Sequence, residues 1–365
     1  MDTSLLSGLI FFIAFASMII LHELGHFIAA RFFGIEVDEF GFGIPPRMLT
    51  LFRWRGTDFT LNWLPLGGFV RPKGENDPNV VGGMAAATPW RRLGVLVAGP
   101  AMNLITALFL FIFLVRMDGY HDFKRVELAV IVPNSPAEGA GMLVGDELLR
   151  IDGQAITSNE SARALINQNL GQPVEFVLLR AGQEISVTAT PRVNPPEGQG
   201  ALGIGMGHVV LPINSWGASV QYGAQSVLDQ SREILLLPAR MIKGTLAPGE
   251  GRFIGLKGIA DIFNMTVSSD VESRAPDTTS ASQPPTFATL YLIAALTISI
   301  GLFNLFPFPA LDGGRIIFVI PEILFRRRVP QQFENAVHAA GMMLLLLLML
   351  YVNVMDFVNP IQLLP

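Results

Sequence analysis

No cysteine occurs among the 365 residues. That excludes disulfides and thiolate metal sites, so any metal must be held by His, Asp or Glu. It leaves the compartment open, because both sides of a membrane tolerate a cysteine-free chain. Charge is also scarce: Asp, Glu, Lys and Arg make up 15% of the chain, against about 25% in a soluble domain. Half of the residues are hydrophobic, and the mean hydropathy is +0.46. The net charge of −5 shows no basic excess and speaks against nucleic acid as a partner. The first apolar run is preceded by Asp2 rather than Lys or Arg and holds no clear small-residue cleavage site, so it reads as a retained anchor and not a signal peptide.

What is present is long apolar runs. A span needs about 20 such residues, and four segments qualify: 5–28, 93–115, 288–309 and 338–358. With their flanks they define a first span at 1–33, a second at 93–116, a third at 288–314 and a fourth at 338–358. The connections 34–92 and 315–337 carry Arg31, Arg47, Arg53, Arg55, Arg71, Lys73, Arg91 and Arg92 in or beside the first, and Arg315, Arg326, Arg327 and Arg328 in the second. Short basic loops face the cytoplasm. Both termini and the long segment 116–287 are therefore expected outside.

The outer segment divides in three. Residues 122–210 alternate like strands and are punctuated by "IDGQ" and "RAGQ", with a helical stretch after Ser158 or Asn159; a small, mostly β domain follows. Residues 211–267 are amphipathic, interrupted by Asp229, Arg232 and Glu233, and are expected at the membrane surface. Residues 268–287 are rich in Ser, Thr and Pro and read as a flexible linker. Within 34–92, "RMLTLFRW" and "DFTLNWLP" flank "RGT" and predict a hairpin, apolar enough to dip into the membrane beside the spans. The expected fold is thus a polytopic α-helical membrane protein of about four spans, with a membrane-associated β-hairpin and an extracytoplasmic β domain.

Ionisable groups inside a span usually mark function, and the end of the first span holds "HELGH". His22 and His26 are four apart on one helix face, so two imidazoles can bind one cation. Glu23 beside them takes the place of the general base of an H-E-x-x-H site. Catalytic zinc has three protein ligands and an open position. The third is best supplied by Asp312 in "NLFPFPALDGGR", at the cytoplasmic end of the third span and at similar depth; alone, Asp-Gly would read as a turn. His121 and His208 lie outside, and His338 begins the fourth span. One Zn2+ per chain is expected.

His22-Glu23-Leu24-Gly25-His26 with Leu311-Asp312-Gly313-Gly314 resembles the site-2 protease family of intramembrane metalloproteases, the bacterial branch that cleaves anti-sigma factors. "GGFVRPKGE" (67–75), "AGPAMN" (98–103) and "NLFPFPALDGG" resemble further segments of that branch in the same order, and "VIVPNSPAEGAGMLVGDELLRIDGQAI" (130–156) resembles a PDZ domain. The resemblance implies zinc on His22, His26 and Asp312, with Glu23 as base. It implies a multi-pass protein of the bacterial inner membrane, in contact with lipid, that cuts transmembrane segments of single-span membrane proteins: anti-sigma-factor-like proteins or signal-peptide remnants. Asn304 matches an asparagine that positions substrate. Gly67 and Gly68, which permit close backbone approach, and Asn103 complete the candidate substrate-binding set. The PDZ-like unit implies a peptide or protein ligand, with "LGIGM" (202–206) as the docking strand. The chain departs from the family in its single PDZ-like unit, in "IGLKGI" (254–259) without proline, and in the 268–286 stretch. A membrane metal-binding or transport protein without peptidase activity is the alternative reading of the same three ligands.

Overall fold

Long apolar runs satisfy their own backbone as helices when no water is at hand. In the computed structural model, which describes residues 3–196, 198–244, 253–274 and 286–359, they do so. The elements in chain order are α1 (Thr3–Phe32), β1 (Val37–Trp54), β2 (Thr57–Pro72), α2 (Pro89–Asp118), β3 (Tyr120–Ile131), α3 (Pro136–Gly139), β4 (Glu147–Ile151), β5 (Gln154–Ala155), α4 (Asn159–Gln168), β6 (Val174–Arg180), β7 (Gln183–Ala189), β8 (Ile204–Leu211), α5 (Trp216–Lys243), α6 (Leu256–Glu272), α7 (Ala288–Leu305), α8 (Asp312–Phe325) and α9 (Gln331–Val358). Among the described residues, α1, α2, α7 and α9 are long and apolar enough to cross a membrane. The chain divides into two compact units: one is built from the segments up to Leu114 and from Val220 onward, the other from Val115–Ser219.

In the first unit the helices cross where side chains are small. A Cβ at Gly25 of α1 would stand 2.8 Å from Met102 Cβ of α2, and one at Gly301 of α7 would stand 3.1 Å from the Pro100 carbonyl oxygen of α2. Without a hydrophobic force between helices in lipid, such close approach is what holds spans together.

β1 and β2 form a folded-back sheet, larger than the expected hairpin. Trp54 pairs with Thr57 across a two-residue loop whose residues, Arg55 and Gly56, both have positive φ (48° and 87°), the backbone of a tight hairpin turn. Both strands bend, so that Phe40 stands opposite Phe59 on one side and Val70 on the other. Inside the fold, the Glu39 carboxylate accepts from Thr60 Oγ1 at 2.8 Å and lies 2.8 Å from Arg47 Nη2 and 3.0 Å from Arg71 Nη2. Outside it, Phe52, Trp63 and Leu64 are exposed.

Three expectations are corrected. The third span does not run to residue 314: α7 stops at Leu305, residues 306–311 are not helical, and "DGGR" opens a separate helix, α8, inside the expected loop 315–337. Pro307 and Pro309 end α7 by removing backbone donors. Second, residues 268–272, expected as linker, are the last turn of α6. Asp270 is buried there because its carboxylate accepts from the N–H groups of Ala288 (2.9 Å) and Thr289 (3.0 Å), donors at the start of α7 that no intrahelical carbonyl can reach. The rest of the expected linker, 275–285, lies outside the described residues. Third, the region 211–267 divides into two helices, and α6 packs on α1 and α7 with Phe263 fully buried, 5.3 Å from the ring of Phe11. Asp356 of α9 caps it, accepting from Gly255 N–H (2.8 Å) and Gly258 N–H (3.1 Å).

The second unit is a β domain. Its six-stranded sheet runs β7-β6-β4-β3-β8, with β5 on β4. Val126, Leu128, Leu148, Ile151, Phe176 and Leu178 alternate into a buried core that α3 and α4 help to cover. Ser158, not Asn159, is the N-cap of α4, in a reciprocal box with Ser161.

Candidate metal centre

The unbroken helix α1 carries His22 and His26 to one face. Asp312 reaches the same place from the first residue of α8. That start is crowded: a Cβ on Gly313 would overlap the Phe306 carbonyl and one on Gly314 the Phe308 carbonyl, so two successive glycines let α8 begin directly against the end of α7. The turn before it passes through Ala310 at φ 80°, an unusual conformation for a residue with a Cβ, and the Ala310 N–H is held by His338 Nδ1 at 2.9 Å.

Three donor atoms converge. His22 Nε2 lies 3.1 Å from Asp312 Oδ2 and 3.1 Å from His26 Nε2, and His26 Nε2 lies 3.2 Å from Asp312 Oδ2. With zinc bonds of about 2.0–2.1 Å, a tetrahedral edge is about 3.3 Å, so two imidazoles and a carboxylate at these separations fit zinc. The outer contacts agree with that donor set. His26 Nδ1–H donates to the Val95 carbonyl at 2.8 Å, leaving Nε2 with its lone pair. Behind His22, the Asn103 amide stands 3.4 Å from Nδ1, and its Oδ1 is buried without a partner. With the amide turned over, Oδ1 accepts the Nδ1–H and Nε2 is freed in the same way.

Glu23 points to the other side of the group. Its Oε2 accepts the Val70 N–H at 3.0 Å, and Gly68 lies against its Cγ. A cavity of about 260 Å³ opens here, lined by His22, Glu23, His26, Asp312, Asn304, Phe69 and Val70. Asn304 is fixed on this wall by donating to the Ile300 carbonyl at 3.0 Å. Of the residues expected at a substrate site, Asn304 lines the cavity and Gly68 lies beside Glu23. Gly67, at φ 90°, sits beside Ile19 and Ile44. Asn103, also expected there, has no exposed surface, and its amide stands 3.4 Å from His22 Nδ1.

Sequence reasoning missed three contributors. A Cβ at Gly99 would overlap His26 Nε2 and stand 2.8 Å from His22 Nε2, so this glycine is the floor of the site; only its place next to Pro100 in "AGPAMN" singled it out. The Val95 carbonyl and the Val70 N–H are backbone groups and leave no trace in residue type.

The sequence model of Peptidase family M50 matches residues 10–348. A Clostridium perfringens protein named as a zinc metalloprotease is 33% identical over 96% of this chain and 98% of its own length. A Campylobacter jejuni protein named in the same way is 30% identical over 93% of this chain and 90% of its own. The zinc metalloprotease RasP of Geobacillus kaustophilus is 27% identical over 94% and 96%.

Proposed function

The chain belongs to peptidase family M50 and is an intramembrane zinc metalloprotease of a bacterial membrane, and from that premise we propose that His22, His26 and Asp312 hold its zinc and that Glu23 is its general base. The convergence of the three donor atoms within hydrogen-bonding distance of one another, with Glu23 alongside, carries this reading. Bound there, zinc supplies a Lewis acid for the scissile carbonyl and acidifies a water molecule. The chain's own groups do the rest. Val70 N–H holds one Glu23 oxygen and leaves the other to take a proton. Val95 and Asn103 keep the two imidazoles in the metal-facing tautomer. Asn304 offers an amide on the cavity wall.

The substrates we propose are transmembrane helices of single-span membrane proteins. A helical peptide bond is shielded by its own hydrogen bonds, so it must unwind before attack. Phe69 and Val70 of β2 form a wall of the cavity, and an unwound stretch laid along it by strand addition would pass Glu23. The exposed apolar side of the β1–β2 sheet is consistent with contact with lipid. In the β domain, β8 pairs with β3 alone among the described residues, so residues 202–206 lead into a strand with one edge open there, suited to a peptide terminus as in a PDZ domain. Cytoplasmic basic loops and outer termini complete the proposed topology.

Co-expression with candidate single-span membrane proteins tests the reading. Wild type should yield a fragment that Glu23→Gln does not, at equal zinc content; equal fragments from both would overturn the role given to Glu23.

A further inference from the structure

Two residues that line a second cavity carry buried donors without a hydrogen-bond partner. This cavity, of about 200 Å³, adjoins the metal centre: Glu75, Met84, Leu96 and Arg315 line both. Arg92, 6% exposed on α2, forms an ion pair with Glu322 of α8, its Nη2 2.9 Å from Oε2, and both its Nη1 and that Oε2 are buried without a hydrogen-bond partner. On α9, His338 accepts the Ala310 N–H at Nδ1. A nitrogen that accepts holds the lone pair, so the ring proton sits on Nε2, and that atom too is buried without a partner. Arg92 and His338 both line the cavity.

The lining holds one more arginine than it holds carboxylates, and Arg92 also faces Glu322. Arg92, Arg315 and Arg328 stand against Glu75 and Glu334. Arg315 is committed to Glu75, and Arg328 to the Ala85 carbonyl and Gln331. Glu334 is the acid that a ligand would face, and the arginines around it offset it. Two unmet donors suit a planar two-oxygen acceptor.

Peptide hydrolysis makes such a group beside this cavity. The C–N bond breaks, hydroxyl from water stays on the acyl carbon, the water's other proton goes to the amine, and the acid ionises at neutral pH. Resting on the protease reading above, we propose that this cavity is a carboxylate subsite that receives the new C-terminal carboxylate of the amino-terminal product, with Arg92 Nη1 and His338 Nε2 as donors. It is a place for the product to leave to, one wall away from the metal centre.

The test uses full-length Glu23→Gln protein in detergent, with zinc and after chelation, zinc content being measured. The probes are a fluorescein-labelled Leu-Ala hexapeptide as free acid, the same peptide as C-terminal amide, and an amide ending in Glu. The free acid should bind at least about tenfold more tightly than the plain amide, with or without zinc. His338→Asn keeps an acceptor for Ala310 and removes only the Nε2 donor; Arg92→Lys keeps the charge beside Glu322 and removes Nη1. Each should reduce the preference to about twofold or less. Equal binding of acid and amide overturns the subsite, as does a preference that both variants retain. A preference that disappears with zinc places the carboxylate on the metal and overturns it as well. If the Glu-ending amide binds like the free acid, the ligand is a side chain and the product assignment falls. None of these readings depends on turnover, so failure of the protease reading, seen in cleavage alone, stays separate.

Discussion

Glu23 Oε2 and Val70 N–H are joined at 3.0 Å, which ties the helix bearing the H-E-x-x-H sequence to the β1–β2 sheet. Glu23→Gln preserves this link, because an amide oxygen also accepts. The variant should fold, hold one zinc per chain and lose cleavage by about 10²–10⁴-fold, the worth of a positioned base. Zinc stoichiometry and substrate cleavage on one preparation check it, and wild-type cleavage would remove Glu23 from the chemistry.

Gly99→Ala puts a methyl group where the two imidazoles meet. The histidines must part, and zinc content should fall well below one per chain while the circular dichroism spectrum stays helical. Full zinc occupancy in this variant would show that α2 yields at this point.

Asp270 makes a second prediction about architecture. Asp270→Ala removes the acceptor of the Ala288 and Thr289 N–H groups and should lower stability by about 1–2 kcal/mol, as a lost helix cap does. Asp270→Asn, which keeps an acceptor, should lose less. Unfolding in a denaturing detergent titration measures both; an unchanged midpoint for Asp270→Ala would mean the cap contributes nothing.

In the β domain, burial pushes the Asp146 carboxyl up, but the Arg180 guanidinium at 2.6 Å and the Leu143 N–H outweigh it and hold it below the usual carboxylate range. A depressed folded pKa gives stability that is complete above the unfolded value of about 3.9 and is lost as pH falls through the folded one. The domain should therefore open more readily below about pH 4. Arg180→Gln should destabilise it at neutral pH and flatten this dependence. Hydrogen exchange of the β-domain amides, corrected for intrinsic rates, reads both effects; identical pH profiles would contradict the ion pair's part.

How much was legible depended on range. His22 and His26 could be paired from their spacing alone, and the α1, α2 and α9 runs are long enough to declare themselves. Asp312 was reachable because an acid stood at the cytoplasmic end of the third span, at the depth of the two histidines. The start of α8 was not, because Gly-Gly ordinarily ends a helix and here exists to let one begin beside carbonyls. Asp270 sits in a Ser-rich, acidic stretch, and only its distant partners at the start of α7 explain its burial. The motif around Asn103 gave no sign of its neighbour across the α1–α2 contact, His22.

The glycines at the crossings have one more consequence. Gly25 leaves α1 no space to move on α2, Gly99 leaves none beneath the imidazoles, and Gly313 and Gly314 clamp α8 to the end of α7. A pocket so braced has little room to adapt to its guest. For the helical substrates proposed above, deformation should then fall on the guest, and its susceptibility should follow how cheaply a short stretch of it melts. Gly or Pro placed near the scissile bond of an otherwise stable span should turn a poor substrate into a good one.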